Sequence, residues 1–372
     1  MKNAQRLLSL DTFRGLTIAG MIIVNNPGSW DYVYAPLRHA SWHGITPTDA
    51  IFPFFLFIMG VSIPFSYNRQ KIDEVSKNVL AGKIIKRSIV LFLLGLFLVS
   101  YPHFDIDTFR MLGVLQRIAI VFAVSAMLFV FTSWRTILYI SIGLLTGYWL
   151  AMSFIPVPGI GYPNLEVNTN LAAWFDRLFL SGHMRADTKT WDALGLFSTF
   201  PAIVSGLSGV LVGILMKVDS LSQEKKLIWL FVIGCLCTLT GWIWDGFFPI
   251  NKNIWTSSYV LYTTGLACLV WGVLYWFIDM LGYKRWTTFF VAFGVNAITA
   301  YFVSEFLIKT LSPIKVHGSE GTQTSVLSFL YSTLFAPLLS PNNASLAMAI
   351  FWVLIFFIPL YIMYRKKIFI KV

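Results

Sequence analysis

Residues 25–60 read NNPGSWDYVYAPLRHASWHGITPTDAIFPFFLFIMG and form a polar segment between two apolar runs. His39 and His43 lie four positions apart in this segment, and Asp49 follows at the start of the second apolar run. An ionisable side chain at such a boundary is costly unless it has a partner or a function. We therefore expect the chemistry of the chain to be concentrated here, with the remaining sequence supporting it.

The composition places this segment at a membrane. Of 372 residues, 57% are hydrophobic and only 12% are charged, which is about half the charged fraction of an ordinary soluble domain. The apolar residues occur in long blocks, and about twenty such residues cross roughly 30 Å of hydrocarbon as a helix. The sequence thus predicts an all-α, polytopic integral membrane protein whose first partner is the lipid bilayer.

We predict about ten transmembrane helices in a single domain over residues 1–372. They cover residues 13–30, 48–67, 84–101, 111–131, 134–154, 194–216, 226–247, 256–278, 287–309 and 344–364. Residues 155–193 then form the longest external loop. Residues 326–339 are apolar but too short for a span, which favours a re-entrant or interfacial segment.

The positive charges orient this arrangement. The net charge is +11, and nineteen of the 28 lysines and arginines fall on the side of the two termini. By the positive-inside rule both termini are cytoplasmic, and His39 lies on the external side. Because the cations are spread over loops rather than gathered on one face, we do not expect a nucleic-acid partner.

Metal chemistry has little support in the sequence. His39 and His43 have the spacing of two ligands on one helical face, but no HExxH pattern occurs and the later histidines are isolated. The three cysteines lie inside apolar blocks without the spacing of a zinc site or a disulfide framework. We predict that no metal is bound.

The polar segment suits general base catalysis. A histidine whose tautomer is set by Asp49 or Asp11 can accept a proton from an amine or hydroxyl that attacks a carbonyl. Asn25, near the external end of the first helix, can donate to a developing oxyanion. Each residue also has a structural interpretation: Asn25 as a helix-terminating amide, Asp49 as an N-cap partner after Thr46-Pro47-Thr48, and the histidines as interfacial anchors.

Two further clusters carry charge near or within the spans. RMLGVLQRIAI is predicted to place Arg110 and Arg117 on one helical face, where they require an anion or carboxylates. The cluster Asn251, Lys252 and Asn253 lies at an external boundary among aromatic residues, which fits either an interface anchor or a binding patch.

The ninth predicted span contains two polar residues of its own. Asn296 and Glu305 are nine positions apart, so they lie on roughly opposite faces of a continuous helix. At least one of them is expected to face protein rather than lipid.

Six blocks, in order, resemble one known family. They are RLLSLDTFRGLTIAGMIIVNNPGSW, RHASWHGITPTDAIFPFFLFIMGVSIPFS, RMLGVLQRIAI, WDALGLFSTFPAIVSGLSGVLVG, PINKNIWTSSYVLYTTGLA and FGVNAITAYFVSEFL. They cover nearly the whole chain and are similar to the membrane-bound heparan-α-glucosaminide N-acetyltransferase family, including its shorter bacterial relatives. The resemblance implies transfer of an acetyl group from cytosolic acetyl-CoA to the amine of a terminal glucosamine, in a bacterial cytoplasmic (inner) membrane.

The resemblance also assigns roles to residues. The active-site histidine of the family falls on His39 in RHASW and its asparagine on Asn25 in IIVN, with Asp49 as a third catalytic candidate. His43 departs from the family pattern and adds a second titrating group. Candidates for binding the acetyl-CoA phosphates are Arg110, Arg117, Lys252, Asn251, Asn253 and Arg14. Candidates for the acceptor are His43, Trp42, Asp11, Asn296 and Glu305.

Alternatives remain at this stage. His39 either deprotonates the acceptor amine in a ternary complex or carries the acetyl group transiently. A transporter of amino sugars or cell-wall fragments would use similar polar residues to bind its substrate and couple protons. Another acyl donor or acceptor, and a homodimer as a further partner, also stay open.

Overall fold

The computed structural model describes residues 7–67, 76–105, 107–185, 187–317 and 323–370. These residues form a helical bundle, in agreement with the predicted class. Its helices are α1 (Leu8–Asn25), α2 (Pro47–Ser66), α3 (Lys77–Ser100), α4 (Val114–Phe131), α5 (Trp134–Phe154), α6 (Leu171–Leu180), α7 (Thr199–Met216), α8 (Gln223–Asp245), α9 (Ser257–Leu274), α10 (Thr287–Val295), α11 (Ala297–Leu311), α12 (Val326–Leu330) and α13 (Pro341–Arg365). Two antiparallel strands, β1 (Lys315–His317) and β2 (Gln323–Ser325), pair Lys315 with Ser325.

Seven helices within the described residues are long and apolar enough to cross a membrane, or up to eight if a bent pair counts as one span. The seven are Pro47–Ser66, Val114–Phe131, Trp134–Phe154, Thr199–Met216, Gln223–Asp245, Ser257–Met280 and Pro341–Arg365. Helices α1 and α3 occupy the first and third predicted spans, but their first halves contain charged residues such as Arg14 and Lys83. The count of ten spans and the cytoplasmic position of both termini stay predictions.

Helix α1 begins earlier in the chain than predicted. It covers Leu8–Asn25 rather than residues 13–30. The carboxylate of Asp279 accepts hydrogen bonds from the Leu8 and Ser9 amides, both at 3.2 Å, and thereby caps the helix from a distant part of the chain. The helix ends at Asn25, before Pro27, as the proline and the following glycine indicate.

The ninth predicted span is broken. The prediction of one straight helix over residues 287–309 is wrong, because α10 and α11 meet at Asn296 with a bend of 82°. At this bend the Asn296 side chain donates to the carbonyl of Ile368 (3.0 Å) and accepts from the amide of Ile370 (2.9 Å). Asn296 therefore holds the segment that follows α13 against the break, and its described contacts do not involve the predicted acceptor site.

Helices α2 and α7 are packed backbone against backbone at the centre of the bundle. A Cβ added to Gly60 would lie 2.0 Å from the carbonyl oxygen of Gly206, and one added to Gly209 would lie 2.0 Å from that of Phe57. Such distances are far below van der Waals contact, so only glycine fits. Small residues permit this close approach where water does not drive helix association.

Two shorter segments complete the described structure. Residues 155–193 contain α6, whose first turn is capped by the Asn170 side chain accepting from the Ala173 amide. Helix α12 continues in π-helical turns through Phe335, and the apolar stretch Val326–Phe335 is too short to span a bilayer. Its interfacial or re-entrant position stays a prediction, as does the external position of residues 155–193.

Candidate active site

His39 and Asp49 form the centre of the site. His39 lies in the loop between α1 and α2, directly after a single 3₁₀ turn (Ala35–Leu37), and Asp49 lies in the first turn of α2. The Nδ1 atom of His39 is 2.7 Å from Oδ1 of Asp49. The histidine side chain is 51% exposed whereas that of the aspartate is 1% exposed. A buried carboxylate thus holds an imidazole that a ligand can reach.

The carboxylate of Asp49 is fixed from several directions. Its Oδ2 atom accepts hydrogen bonds from the amides of Ala40 and Thr46, each at 3.0 Å. The Tyr259 hydroxyl donates to the backbone carbonyl of Asp49 at 2.6 Å. One oxygen therefore caps the start of α2 and the other contacts His39, while the catalytic role of Asp49 stays a prediction.

This geometry selects one tautomer of His39. An ionised carboxylate only accepts hydrogen bonds, so the proton of the neutral imidazole must be on Nδ1. The Nε2 atom then carries a lone pair and points away from Asp49. A histidine in this state can accept a proton or attack a carbonyl carbon.

Lys252 completes the cluster from the loop before α9. Its Nζ atom lies 3.3 Å from Oδ1 of Asp49, 2.9 Å from Nδ1 of His39 and 3.4 Å from Nε2. Burial lowers the pKa of Lys252, and the charge of Asp49 opposes that shift. The sequence favours either an interface anchor or a binding patch here, and the structure places the lysine against the imidazole.

The asparagines that flank Lys252 have structural contacts. The Asn251 side chain is fully buried and accepts from the amides of Asn253 (2.7 Å) and Ile254 (3.2 Å), which shapes the turn that presents the lysine. The contact described for Asn253 is made by its backbone amide and not by its side chain. The predicted cofactor contacts of both asparagines stay predictions.

His43 has a separate set of neighbours. Its Nδ1 atom is 3.3 Å from Nδ2 of Asn251, and the amide of Gly44 donates to the carbonyl of Ile250 at 2.7 Å. These contacts join the loop of His39 to the loop of Lys252. His43 therefore lies at the joint between the two loops, whereas His39 contacts the carboxylate.

Trp42 forms an aromatic wall beside the cluster. Its ring meets Trp191 edge to face at 5.1 Å, and its indole nitrogen donates to the carbonyl of Leu165 at 2.9 Å. Both partners belong to residues 155–193. This loop therefore packs onto the site beside Trp42, and the predicted role of Trp42 in binding the acceptor stays a prediction.

Arg110 and Arg117 are not on one helical face. That geometric prediction is wrong because α4 begins at Val114, so Arg110 lies in the preceding loop. Arg110 forms a bidentate ion pair with the buried carboxylate of Asp192, with 2.8 Å from Nε to Oδ2. Arg117 is 1% exposed and donates to the carbonyls of Ala193 (3.2 Å) and Gly195 (2.9 Å). Both arginines thus hold the loop around Asp192, and their binding of a cofactor phosphate stays a prediction.

Asp176 is a further buried carboxyl group besides Asp49 and Asp192, and sequence reasoning missed it. It lies on α6 and accepts from the amides of Leu196 (2.8 Å) and Phe197 (3.4 Å). Burial raises the pKa of Asp176 to about 7, against the effect of these two hydrogen bonds. The available signal was a lone acid within the apolar segment WFDRLFL.

Asn25 contacts Glu305 rather than His39 in the described structure. The Nδ2 atom of Asn25 donates to Oε1 of Glu305 at 3.2 Å, which joins the end of α1 to the middle of α11. The expectation that at least one of Asn296 and Glu305 faces protein agrees with this contact and with those of Asn296. The roles predicted for Asn25 in catalysis and for Glu305 in acceptor binding stay predictions.

A cavity lies at the opposite end of α2. It has a volume of about 300 Å³, and its polar lining consists of Arg14, Ser62, Ser66, Tyr67 and Arg87. Thirteen helical positions separate Asp49 from Ser62, which corresponds to about 20 Å along α2. The cavity and the histidine cluster are therefore two separate regions on one helix.

Arg14, which lines this cavity, is paired with Asp11. The Nη1 atom of Arg14 is 3.3 Å from Oδ1 of Asp11, and Nη2 is 2.5 Å from the hydroxyl of Ser62. Asp11 therefore lies at the cavity end of the bundle. The alternative in which Asp11 orients the histidine is wrong, because Asp49 occupies that position.

Arg87 is the second cation of the cavity. Its guanidinium lies 4.6 Å from the centre of the Phe122 ring. Its Nε atom is buried without a hydrogen-bond partner among the residues that the structure describes. Two guanidinium groups thus face one volume, an arrangement that suits an anionic ligand.

Comparisons with known proteins agree with the sequence resemblance. Residues 6–219 match the family described as heparan-alpha-glucosaminide N-acetyltransferase, catalytic. The chain is 30% identical over 427 aligned positions to the human heparan-alpha-glucosaminide N-acetyltransferase, covering 99% of this chain and 60% of that protein. It is also 30% identical over 431 positions to the mouse protein of the same name, covering 100% and 61%. The chain thus spans about three fifths of the length of these curated relatives.

Proposed function

The chain belongs to the heparan-alpha-glucosaminide N-acetyltransferase family, and on that premise we propose that it transfers an acetyl group from acetyl-CoA to the amine of a glucosamine-like sugar. The matched residues 6–219 include His39, Asp49 and the cavity residues Arg14 and Arg87. The whole curated relatives are longer, so the acceptor of this chain is assigned only as an amino sugar with a free amine.

The observation that carries this proposal is the pair of His39 and Asp49. The Nδ1 to Oδ1 distance of 2.7 Å leaves Nε2 as an acceptor directed away from the carboxylate. An amine becomes a nucleophile only when it is unprotonated, and it must lose a second proton after attack on a carbonyl. A general base of this kind typically contributes 10²- to 10⁴-fold to the rate.

The chemical step can be written with His39 as the base. The acceptor nitrogen forms a bond to the thioester carbonyl carbon, and Nε2 takes the proton that the nitrogen loses. The carbon–sulfur bond then breaks, and the thiolate leaves with the proton returned from His39. In the two-step alternative, Nε2 forms a bond to the acetyl carbon as the carbon–sulfur bond breaks and the CoA thiolate leaves. The amine then attacks the same carbon, the bond to Nε2 breaks, and the freed Nε2 takes the proton that the amine loses.

The cavity supports a position for the donor. Acetyl-CoA carries phosphate groups, and paired guanidinium groups bind phosphates through charge-assisted hydrogen bonds. Arg14 and Arg87 line the cavity about 20 Å along α2 from Asp49. We place the nucleotide at this end and the thioester near His39, so that the flexible arm of the donor follows α2.

This placement fits the predicted membrane orientation. The positive-inside rule puts the cavity end on the cytoplasmic side, where acetyl-CoA is made available, and His39 on the external side. The amino sugar is then acetylated from the face opposite the donor. Single cysteines introduced at residue 41 or at residue 219 test this orientation. In intact cells, a membrane-impermeant reagent should label the cysteine at residue 41 and not the one at residue 219.

The function is tested with purified protein in detergent. Acetyl-CoA and glucosamine are supplied, the released thiol is measured optically, and the N-acetylated sugar is identified by mass spectrometry. His39→Ala should lower the formation of both products about 10³-fold, whereas His103→Ala, which removes an exposed histidine outside the site, is the matched control and should retain most activity. An unmodified sugar that enters proteoliposomes without acetyl-CoA would support the transporter and overturn the proposal.

The two chemical routes are separated by omitting the acceptor. The protein is incubated with acetyl-CoA that is labelled in the acetyl group. It is then denatured rapidly without acid and digested. Label on the peptide that contains His39 identifies the two-step route. Its absence under conditions that give turnover with glucosamine identifies direct transfer.

A further inference from the structure

We propose that Lys252 is a catalytic residue whose ammonium group donates a hydrogen bond to the thioester oxygen as that oxygen becomes negatively charged. This inference rests on the proposed acetyl transfer and deepens it. It assigns to Lys252 a role in the chemical step, distinct from the binding of donor phosphates.

The first support is the distance of Lys252 from both nitrogens of the base. Its Nζ atom is 2.9 Å from Nδ1 and 3.4 Å from Nε2 of His39. The Nδ1 proton is directed to Asp49 at 2.7 Å, so Nδ1 has no lone pair for the lysine. The ammonium therefore lies beside the ring and not at the end of a hydrogen bond to Nδ1.

The second support is the number of donors. An ammonium group has three N–H donors, and one of them is directed to Oδ1 of Asp49 at 3.3 Å. At least one remaining donor is available on the side of Nε2. A tetrahedral intermediate presents its nitrogen and its oxygen on the same carbon, so it requires two partners a few ångströms apart. Nε2 and Nζ provide this pair.

The third support is the balance of charge during the reaction. The proposed step begins with opposite charges on Asp49 and Lys252 and with a neutral imidazole as the base. When the amine attacks, a proton moves to Nε2 and a negative charge forms on the oxygen. Asp49 at 2.7 Å then offsets the imidazolium, which also lies near the ammonium group, and Lys252 offsets the oxyanion. Donors held in position before the reaction are most effective where water is excluded, and the Lys252 side chain is 20% exposed.

The contacts of Asn25 support the choice of Lys252 as the donor to the thioester oxygen. The sequence predicts Asn25 as the oxyanion donor, but the described amide hydrogen bond of Asn25 goes to Glu305 at 3.2 Å. Among the residues that the structure describes, Lys252 is the cation in contact with His39. Arg185 is a neighbouring cation that pairs instead with Asp187 at 2.8 Å.

The test replaces the ammonium group while keeping the length of the side chain. In Lys252→Met, kcat for acetyl transfer should fall about 10²- to 10³-fold, the usual effect of removing one oxyanion donor. The KM values for acetyl-CoA and glucosamine should change less than threefold. Arg185→Gln, which removes a nearby charge without touching the base, is the matched control and should keep kcat within twofold.

Other results would overturn the inference. An unchanged kcat in Lys252→Met, or a loss confined to the KM for acetyl-CoA, would mean that Lys252 binds the donor and does not act in the step. If the methionine variant does not fold, as judged by its melting temperature and its retained binding of CoA, Lys252→Gln is measured in its place by the same criteria. Wild-type protein without acetyl transfer would instead refute the proposed function itself.

Discussion

The two ends of helix α2 differ in what surrounds their charged groups. At the end that begins with Pro47, the carboxylate of Asp49 accepts from two backbone amides and contacts His39 and Lys252, so each atom has a fixed neighbour. At the end near Ser66, two guanidinium groups line a volume of about 300 Å³. A catalytic step requires reacting groups that are held in fixed positions, whereas the binding of a large anion requires a cavity lined by positive charge. The contrast supports a catalytic end and a binding end.

The largest expected effect tests the catalytic end. His39→Ala should lower kcat for acetyl transfer about 10³-fold, because the acceptor amine loses its general base. Binding of CoA, measured by isothermal titration in detergent, should be retained. Loss of CoA binding together with loss of turnover would contradict the separation of the two ends.

Asp49→Asn tests whether the carboxylate acts through the histidine. The amide oxygen can still accept from Ala40 and Thr46, so α2 should remain capped, but the charge that fixes the His39 tautomer is removed. We expect kcat to fall about 10²-fold, the cost of a misoriented or wrongly protonated base. The melting temperature serves as the control. Equal losses of stability and activity would indicate that Asp49 is a capping residue alone.

Arg87→Gln tests the binding end. Hydrogen bonds to charged groups contribute about 1.5–3 kcal/mol, so the KM for acetyl-CoA should rise at least about tenfold while kcat changes little. Lys83→Gln is the matched control, since Lys83 is exposed one turn earlier on α3 and does not line the cavity. A fall in kcat without a change in KM would mean that the cavity is not the donor site.

The smallest effect concerns Asp176, a buried carboxyl group whose surroundings differ from those of Asp49. The Asp49 carboxylate contacts His39 and Lys252. Asp176 instead accepts from backbone amides, and burial raises the pKa of Asp176 to about 7. An unfolded aspartate titrates near 3.9, so the folded state holds the extra proton between these values. The free energy of unfolding should therefore fall as pH rises from about 4 to 7 and then level off.

Asp176→Asn should reduce this pH dependence. The variant carries no titrating group at that position, and its amide oxygen can still accept from the Leu196 amide. Melting temperatures at pH 5 and pH 8 should differ by a few degrees less in the variant than in the wild type. An identical difference in both proteins would show that Asp176 does not titrate in this range.

The helical class and the position of the central histidine could be predicted from sequence. Apolar blocks of sufficient length define the helices, and the boundary itself indicates His39, His43 and Asp49, whereas the choice of His39 over His43 depends on the family resemblance. The two interpretations of Asp49 are also visible in sequence, because its N-cap pattern and its distance from His39 are local features. Local spacing is enough where the partners lie within ten residues of each other.

Contacts between distant parts of the chain could not be predicted in the same way. Lys252 lies 213 positions from His39, and no periodicity in either segment indicates that they meet. The break at Asn296 depends on hydrogen bonds to Ile368 and Ile370, more than seventy positions away. The pairing of Arg110 with Asp192 likewise depends on how a loop folds back onto the bundle.

The glycine contacts between α2 and α7 leave no room for larger side chains. Carbonyl oxygens fill the space that side chains would occupy at Gly60 and Gly209, so Gly60→Ala or Gly209→Ala would push the two helices apart. Because α2 carries both Asp49 and Ser62 of the cavity wall, such a displacement would shift the histidine cluster and the cavity together relative to α7.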